Sequence, residues 1–337
     1  MNKIKNLELE NPFFLAPMEA VNCTSFRLLC KKRGAGLVFT DMIDADIFID
    51  SVNEIGTEEA IKKYVNPLEQ ERPLCIQIGG GKIETLVKTA NILSSYCDMI
   101  DYNVGCPLGY MLGKKGGVYL MKHPNILEKI VKELRENISL PFSVKIRSGW
   151  DEKSINAIEV SKMLERLGVD AITIHGRTRK QLYKRRADWQ LVRKIKEDAK
   201  IPIILSGDVT NSYMAHMAFM HTKCDFIMVA RGAMNNPSIF KSLNQYYKEY
   251  KEKGIEPAKP FTTYEKRKED VVKDFEEFLE LYNKIEQRYK FSELQDHAIW
   301  SVREAKNNTE LKQEIINSKT EQELKEIVMR SVYSKIL

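Results

Sequence analysis

Short apolar segments alternate with amphipathic segments along the first two-thirds of the chain, and this alternation restricts the possible folds most. Eight of the apolar segments have the composition of buried strands, and most are followed by apolar residues at helical spacing. This number of strands predicts an α/β fold, a (β/α)₈ TIM barrel. A doubly wound open sheet is the alternative, but no GxGxxG motif follows any strand. The predicted strands are Phe13–Ala16, Leu37–Thr40, Leu74–Gly79, Met99–Val104, Phe142–Arg147, Ala171–His175, Pro202–Ser206 and Phe226–Ala230.

Beyond Phe240 the strand pattern stops and a helical pattern replaces it. The segment Lys251–Pro260 is polar and contains one glycine and two prolines, which is typical of a linker. After it, apolar residues recur at spacings of three and four, with few glycines or prolines. We therefore predict a catalytic barrel over residues 1–245, a linker over 246–262 and a small all-helical C-terminal domain over 263–337.

The composition excludes several classes of protein. The chain has 337 residues, of which 43% are hydrophobic and 30% charged, so it can bury a large core. No apolar run approaches the ~18 residues that span a bilayer, and no secretory signal is visible at the N-terminus. The six cysteines include no CxxC pair and the five histidines no metal cage, so no metal is predicted. We expect a cytoplasmic protein with reduced thiols, no membrane association and no obligate protein partner.

The net charge of +6 is unevenly distributed. Residues 177–196 contain nine lysines or arginines and a single acidic residue, Asp188. Such a segment fits contact with a phosphate backbone. It equally fits a solvated loop and helix face, and charge alone does not distinguish the two.

Polar residues and glycines follow nearly every predicted strand, where a TIM barrel carries its reactive groups. Cys106 lies just past the fourth strand, on a loop that would cover the pocket. Lys145 and Arg147 share the inward face of the fifth strand, where a cation needs an anionic or polar partner. For Lys145, a salt bridge to Asp101 is the alternative to a ligand.

The last two strands are followed by features of a phosphate site. Gly207 follows the seventh strand, and Gly232 follows the eighth beside Arg231. Loops at these positions of the barrel often bind phosphate through backbone N–H groups. The pattern predicts a phosphorylated cofactor.

On these motifs the sequence resembles the tRNA-dihydrouridine synthase family, from about Asn11 to Phe240. The order and spacing of the motifs also match. The matching segments are LAPMEAVNCTSFRLLCKKRGAGLVFTDMI (Leu15–Ile43), DYNVGCP (Asp101–Pro107), VKIRSGW (Val144–Trp150), HGRTRKQLY (His175–Tyr183), ADW (Ala187–Trp189), SGDV (Ser206–Val209) and ARGAMNNP (Ala230–Pro237).

The resemblance implies an FMN-binding barrel followed by a helical tRNA-recognition domain, with NADPH as the reductant. Several positions depart from the family pattern. Glu19 stands where a small residue is usual, Ser206 replaces an asparagine and Ala230 a glycine. Val118 and Tyr119 stand where small residues are commoner, and Lys184–Arg186 fills a segment that is often rich in serine and glycine. The residues implied to contact the cofactor are Pro17, Met18, Glu19, Gln77, Lys145, His175, Ser206, Gly207, Asp208, Ala230 and Arg231.

The resemblance also implies the reaction, which is reduction of the C5=C6 bond of uridines in tRNA. Flavin N5 would deliver hydride to C6, and Cys106 would give a proton to C5 as the general acid. Asn103 and Arg147 would contact the uracil or its phosphate, and Arg177 and Arg179 would contact the tRNA backbone.

Two other functions stay open at this point. One is an FMN-dependent barrel oxidoreductase acting on a small molecule such as a free pyrimidine. The other is a tRNA-binding or folding protein that has lost catalysis.

Overall fold

Eight parallel strands close into a barrel, which confirms the predicted fold class. The computed structural model describes residues 2–258, 268–286, 290–305 and 307–333. An antiparallel hairpin of β1 (Lys3–Ile4) and β2 (Leu7–Glu8) precedes the barrel. The barrel strands are β3 (Phe13–Leu15), β4 (Leu37–Asp44), β5 (Leu74–Gly79), β6 (Met99–Val104), β7 (Phe142–Arg147), β8 (Ala171–His175), β9 (Ile203–Ser206) and β10 (Phe226–Val229).

Helices connect the strands and continue into the C-terminal tail. Each barrel strand pairs with its neighbours in chain order, and β10 pairs with β3 to close the ring. The helices are α1 (Thr24–Lys32), α2 (Ala45–Ile55), α3 (Thr57–Tyr64), α4 (Ile83–Leu93), α5 (Gly109–Gly113), α6 (Tyr119–Lys122), α7 (Pro124–Asn137), α8 (Ala157–Arg166), α9 (Trp189–Asp198), α10 (Ser212–Thr222), α11 (Arg231–Met234), α12 (Ile239–Lys253), α13 (Lys268–Ile285), α14 (Phe291–Ser301), α15 (Asn308–Asn317) and α16 (Glu321–Tyr333).

Two features of the strands differ from the sequence prediction. Strand β4 continues past Thr40 to Asp44, and its pairing with β5 shifts register between Phe39 and Met42. An irregular strand of this kind interrupts the alternation of inward and outward residues on which the prediction depends. The hairpin β1–β2 was not predicted, because strands of two residues are too short to show alternation.

The barrel interior changes from apolar to polar along the strand direction. Side chains alternate between the two faces of a strand, so every second residue points inward. At the amino end the interior is filled by Phe14, Phe39, Phe226 and Met228, and Ile4 of the hairpin belongs to the same buried cluster. Further along the strands, the inward positions become polar. The candidate site therefore lies on a layer of polar side chains, above the apolar side chains that fill the amino end of the barrel.

The tail packs against the barrel through buried polar contacts. Arg33, the residue after α1, pairs with Asp274 of α13 at 2.7 Å, and Ser238 donates two hydrogen bonds to the same carboxylate. Glu286 accepts hydrogen bonds from the backbone N–H and the hydroxyl of Ser25. These contacts connect the tail to the first helix of the barrel and to the segment before α12.

The domain boundaries at 245 and 262 stay a prediction. Helix α12 continues through position 245. Leu243 and Tyr246, on either side of that position, are buried on its inner face. Residues 246–253 of the predicted linker are therefore helical. The second boundary falls within residues 259–267, which lie outside the described residues. Among the described helices, none is long and apolar enough to cross a membrane.

A buried ion pair fixes the start of α1. Arg27 is bound by both oxygens of Glu71 at 2.7 and 2.9 Å, and the two residues are 2% and 0% exposed. We expect Glu71→Ala to lower the free energy of unfolding by about 3–5 kcal/mol, because it leaves a guanidinium buried and unpaired. Urea unfolding of both proteins measures this loss.

The matched control is Asp198→Ala, which breaks the exposed pair with Lys162. That change should cost far less stability than Glu71→Ala, because solvent screens an exposed ion pair. Equal losses for the two variants would contradict the account.

Candidate active site

A cavity of about 610 Å³ opens at the carboxyl end of the barrel. Its volume is in the range of small-molecule and cofactor sites. Most of the residues predicted from the sequence line it, and they come from every barrel strand or the loop that follows it except β4, which contributes Met42. These are Pro17, Met18, Glu19, Gln77, Asn103, Cys106, Lys145, Arg147, His175, Ser206, Gly207, Asp208, Ala230 and Arg231.

Arg177 and Arg179 are the predicted site residues that do not line the cavity. The Arg177 side chain is buried beneath it, and the Arg179 guanidinium lies 4.4 Å from the ring centre of Trp150. Their predicted contact with substrate stays a prediction.

A chain of hydrogen bonds crosses the polar layer and ends at the Cys106 loop. Asp101 accepts a short hydrogen bond from Ser143 and a second from the Gln77 amide at 2.6 Å. Gln77 in turn accepts from the Asn103 amide at 2.7 Å. The Asn103 oxygen accepts from the backbone N–H groups of Gly105 and Cys106 at 2.9 and 2.8 Å. Asn103 therefore sets the position of Cys106.

Lys145 is a cation without a protein partner in the described part of the chain. It lies beside Asn103 and Thr173 in the sheet register, yet no hydrogen bond or ion pair of 4 Å or less joins its ammonium to a described residue. No ion pair of 4 Å or less joins Lys145 to Asp101, whose two oxygens accept from Ser143 and Gln77, so the predicted alternative, a Lys145–Asp101 salt bridge, is not formed between these described residues. Burial and the neighbouring Arg147 lower the pKa of Lys145 to about 8. The cavity thus offers a ligand one half-buried cation that has no partner among the described residues.

Cys106 is buried at the edge of the cavity, with 9% of its surface exposed. Burial raises the pKa of its thiol, and the charge of Glu19 raises it further, whereas Arg147 and Lys145 act in the opposite direction. The thiol therefore keeps its proton at neutral pH. A protonated thiol facing a cavity can act as a proton donor.

The loop that carries Cys106 is held at both ends. The Cys106 carbonyl accepts from the Val118 N–H at 3.0 Å, and a Cβ on Gly117 would lie 2.6 Å from that carbonyl oxygen. Lys114 reaches across to Asp44 at 2.6 Å, at the end of β4. Only glycine fits at position 117, so this close approach fixes the loop.

Asp208 joins the last two barrel strands to the basic loop, which is formed by residues 176–188 between β8 and α9. Its carboxylate binds Arg177 at 2.6 Å, Arg231 at 3.3 Å and the backbone N–H of Ala187 at 2.7 Å. The guanidinium of Arg231 also lies 4.9 Å from the ring centre of Tyr183. Asp208 thus positions Arg231, the cation nearest the predicted phosphate end of the cavity.

Arg147 connects two loops through backbone carbonyls. Its Nε donates to Gly105 at 2.8 Å, and its Nη1 donates to Thr178 at 3.2 Å and Leu182 at 3.4 Å. The Cys106 loop and the basic loop are therefore held by the same guanidinium. Lys180, Lys184, Arg185 and Arg186 remain exposed on that basic loop.

Sequence reasoning missed several residues that shape the cavity. Leu182 and Tyr183 line it although 47% and 62% of their surfaces are exposed. Asp41 accepts hydrogen bonds from the N–H groups of Ala20 and Asn22, which fixes the loop that carries Glu19. Burial raises the pKa of Asp41 to about 6. A lone aspartate inside the apolar run of β4 was the available signal for that residue.

Fold and cavity together define a TIM barrel with a ligand site at the carboxyl ends of its strands. The sequence profile of the family "Dihydrouridine synthase (Dus)" matches residues 14–336. The chain belongs to the dihydrouridine synthase family.

Named relatives agree with this assignment. The probable tRNA-dihydrouridine synthase of Rickettsia conorii is 37% identical over 254 residues, which cover 75% of each chain. The tRNA-dihydrouridine synthase B of Pasteurella multocida is 32% identical over 240 residues, or 71% of this chain and 70% of that one. Among solved structures, a 2-naphthoyl-CoA reductase shares the fold with a TM-score of 0.58 and 14% identity, covering 72% of this chain and 51% of its own.

The state of the Cys106 thiol can be tested by alkylation. Only the thiolate reacts with iodoacetamide, so the rate against pH reports the pKa of Cys106. We expect a pKa above that of an ordinary cysteine, and a lower one in Glu19→Gln, which removes a negative charge near the thiol. Peptide mass spectrometry assigns the reacted residue.

Lys162→Met, a change far from the cavity on an exposed surface, should leave the profile unchanged. An unshifted profile in Glu19→Gln would show that Glu19 does not act on the thiol.

Proposed function

We propose that this protein is a tRNA-dihydrouridine synthase, which reduces the C5=C6 bond of specific uridines in tRNA. One observation carries the proposal: a protonated thiol, Cys106, and an unpartnered cation, Lys145, line the same cavity. The family assignment and the names of the relatives support the same reaction.

The residues of the cavity fit a flavin mononucleotide. When bound, this cofactor supplies the hydride that saturates the uracil ring. Lys145 would hold its electron-rich pyrimidine edge, because a half-buried cation without a protein partner is stabilised by an anionic or carbonyl ligand. Gln77 and His175 would contact the ring system, and Arg231 would contact the phosphate.

Cys106 would supply the proton at uracil C5. Its thiol keeps its proton near neutral pH because burial and Glu19 raise its pKa. The Asn103 oxygen accepts from the backbone N–H groups of Gly105 and Cys106, so the thiol is oriented before substrate binds. A target uridine has to leave its stack to reach this depth.

The exposed cations of the basic loop would contact the tRNA backbone. Lys180, Lys184, Arg185 and Arg186 follow the buried Arg177 and lie beside the cavity residues Leu182 and Tyr183. Phosphate contacts of this kind bring affinity without base specificity. NADPH as the reductant and a cytoplasmic location stay predictions.

Mapping dihydrouridine in tRNA tests the proposed reaction. In cells that lack this protein, we expect one or a few dihydrouridines to disappear and to return with the wild-type gene. Cys106→Ala should restore less than about 1% of the wild-type rate, because general acid catalysis contributes 10²- to 10⁴-fold.

Cys224→Ala is the matched control, because Cys224 is a buried thiol that does not line the cavity. It should restore modification. If every dihydrouridine persists without the protein, the small-molecule flavin enzyme becomes the better hypothesis.

A further inference from the structure

Arg177 is buried between His175 and Asp208, with only 2% of its surface exposed. Its Nη1 lies 3.2 Å from His175 Nε2, and its Nη2 lies 2.6 and 2.8 Å from the two Asp208 oxygens. Its Nε and Nη2 also donate to the backbone carbonyl of Arg185. These contacts face the protein interior and not the exposed surface of the basic loop, where contact with tRNA phosphates is proposed.

The chemistry of a guanidinium decides the direction of the contact with His175. Arginine stays protonated in proteins and carries donors only. His175 Nε2 must therefore accept the hydrogen bond through its lone pair. A neutral imidazole has one donor and one acceptor nitrogen, so the proton lies on Nδ1.

The surroundings of His175 favour the neutral ring. Burial lowers its pKa well below the ordinary value, and the charges of Lys145, Arg147, Arg177 and Arg231 lower it further. A second proton on the ring would also point its N–H at the Arg177 guanidinium. The low pKa and this contact between two donors both destabilise the imidazolium form of His175.

We propose that Arg177 is a positioning residue that holds His175 as the neutral tautomer with its proton on Nδ1, and that Asp208 holds Arg177 in place. His175 then offers the cavity a donor from Nδ1 and no free acceptor. It selects a ligand atom that accepts a hydrogen bond, such as a carbonyl oxygen of a flavin or pyrimidine ring. The nature of that ligand rests on the proposed function, whereas the tautomer does not.

The tautomer can be measured directly by NMR on the FMN-loaded protein labelled with ¹⁵N-histidine. Long-range ¹H–¹⁵N correlations distinguish the two neutral tautomers from the imidazolium, and His175→Asn assigns the signals. We expect His175 to show a protonated Nδ1 and a bare Nε2 throughout pH 6–8. A proton on Nε2, or a doubly protonated ring at pH 7, would overturn the proposal.

Arg177→Met tests whether arginine sets this state. We expect the single tautomer to be lost, either to a mixture or to the form with the proton on Nε2. Because Arg177 also anchors the basic loop, Arg147→Met is the matched control. It releases the same loop at Thr178 and Leu182 but makes no hydrogen bond to His175, so the tautomer should persist.

Comparing the two variants distinguishes direct control of the His175 tautomer by Arg177 from a general effect of releasing the basic loop. An unchanged tautomer in Arg177→Met, or its loss in Arg147→Met, would contradict the proposal. If Arg177→Met does not fold, the wild-type tautomer still tests the proposal, because a proton on Nε2 of His175 would overturn it. The NMR readout does not depend on tRNA reduction, so failure of the proposed function leaves it interpretable.

Discussion

The carboxylate of Asp101, inside the barrel, is the group on which the rest of the site depends. It is fully buried, and its two oxygens are bonded to Ser143 and Gln77. Burial raises the pKa of Asp101 to about 6, and these two hydrogen bonds act in the opposite direction. Asp101 accepts from these two side chains and forms no ion pair with Lys145, whose ammonium has no partner within 4 Å among the described residues. Through Gln77 and Asn103, the same network reaches the backbone of Cys106.

Arginines organise the loops above this layer by binding backbone carbonyls. Arg147 joins the Cys106 loop to the basic loop, and Arg177 binds the basic loop from below. A guanidinium has five donors in a rigid plane, so one side chain can hold several carbonyls at once. The basic loop is positioned in this way although it contains no helix or strand. Lys184, Arg185 and Arg186 remain exposed on the basic loop, whereas Lys180 pairs with Asp151 at 2.9 Å.

The sequence was sufficient to predict the barrel, and most of the site residues predicted from it line the cavity. Strands such as Leu74–Gly79 and Phe142–Arg147 have the predicted bounds, because buried parallel strands are short apolar runs with clear ends. The contacts of Arg177 could not be predicted, since an arginine in a basic run has the pattern of a surface residue. Asp41 and Tyr183 were missed because their roles depend on which loops meet in space.

We propose that Lys145 is left without a protein partner because it recognises the ligand of the cavity. Titration of the flavin-free protein with FMN, followed by flavin fluorescence, tests it most directly. The account predicts that Lys145→Met weakens binding by about ten- to a hundredfold, the contribution of a hydrogen bond to a charged group. Lys162→Met, on the exposed face of α8, should bind FMN as the wild type does. Equal affinity of Lys145→Met and the wild type would contradict the claim.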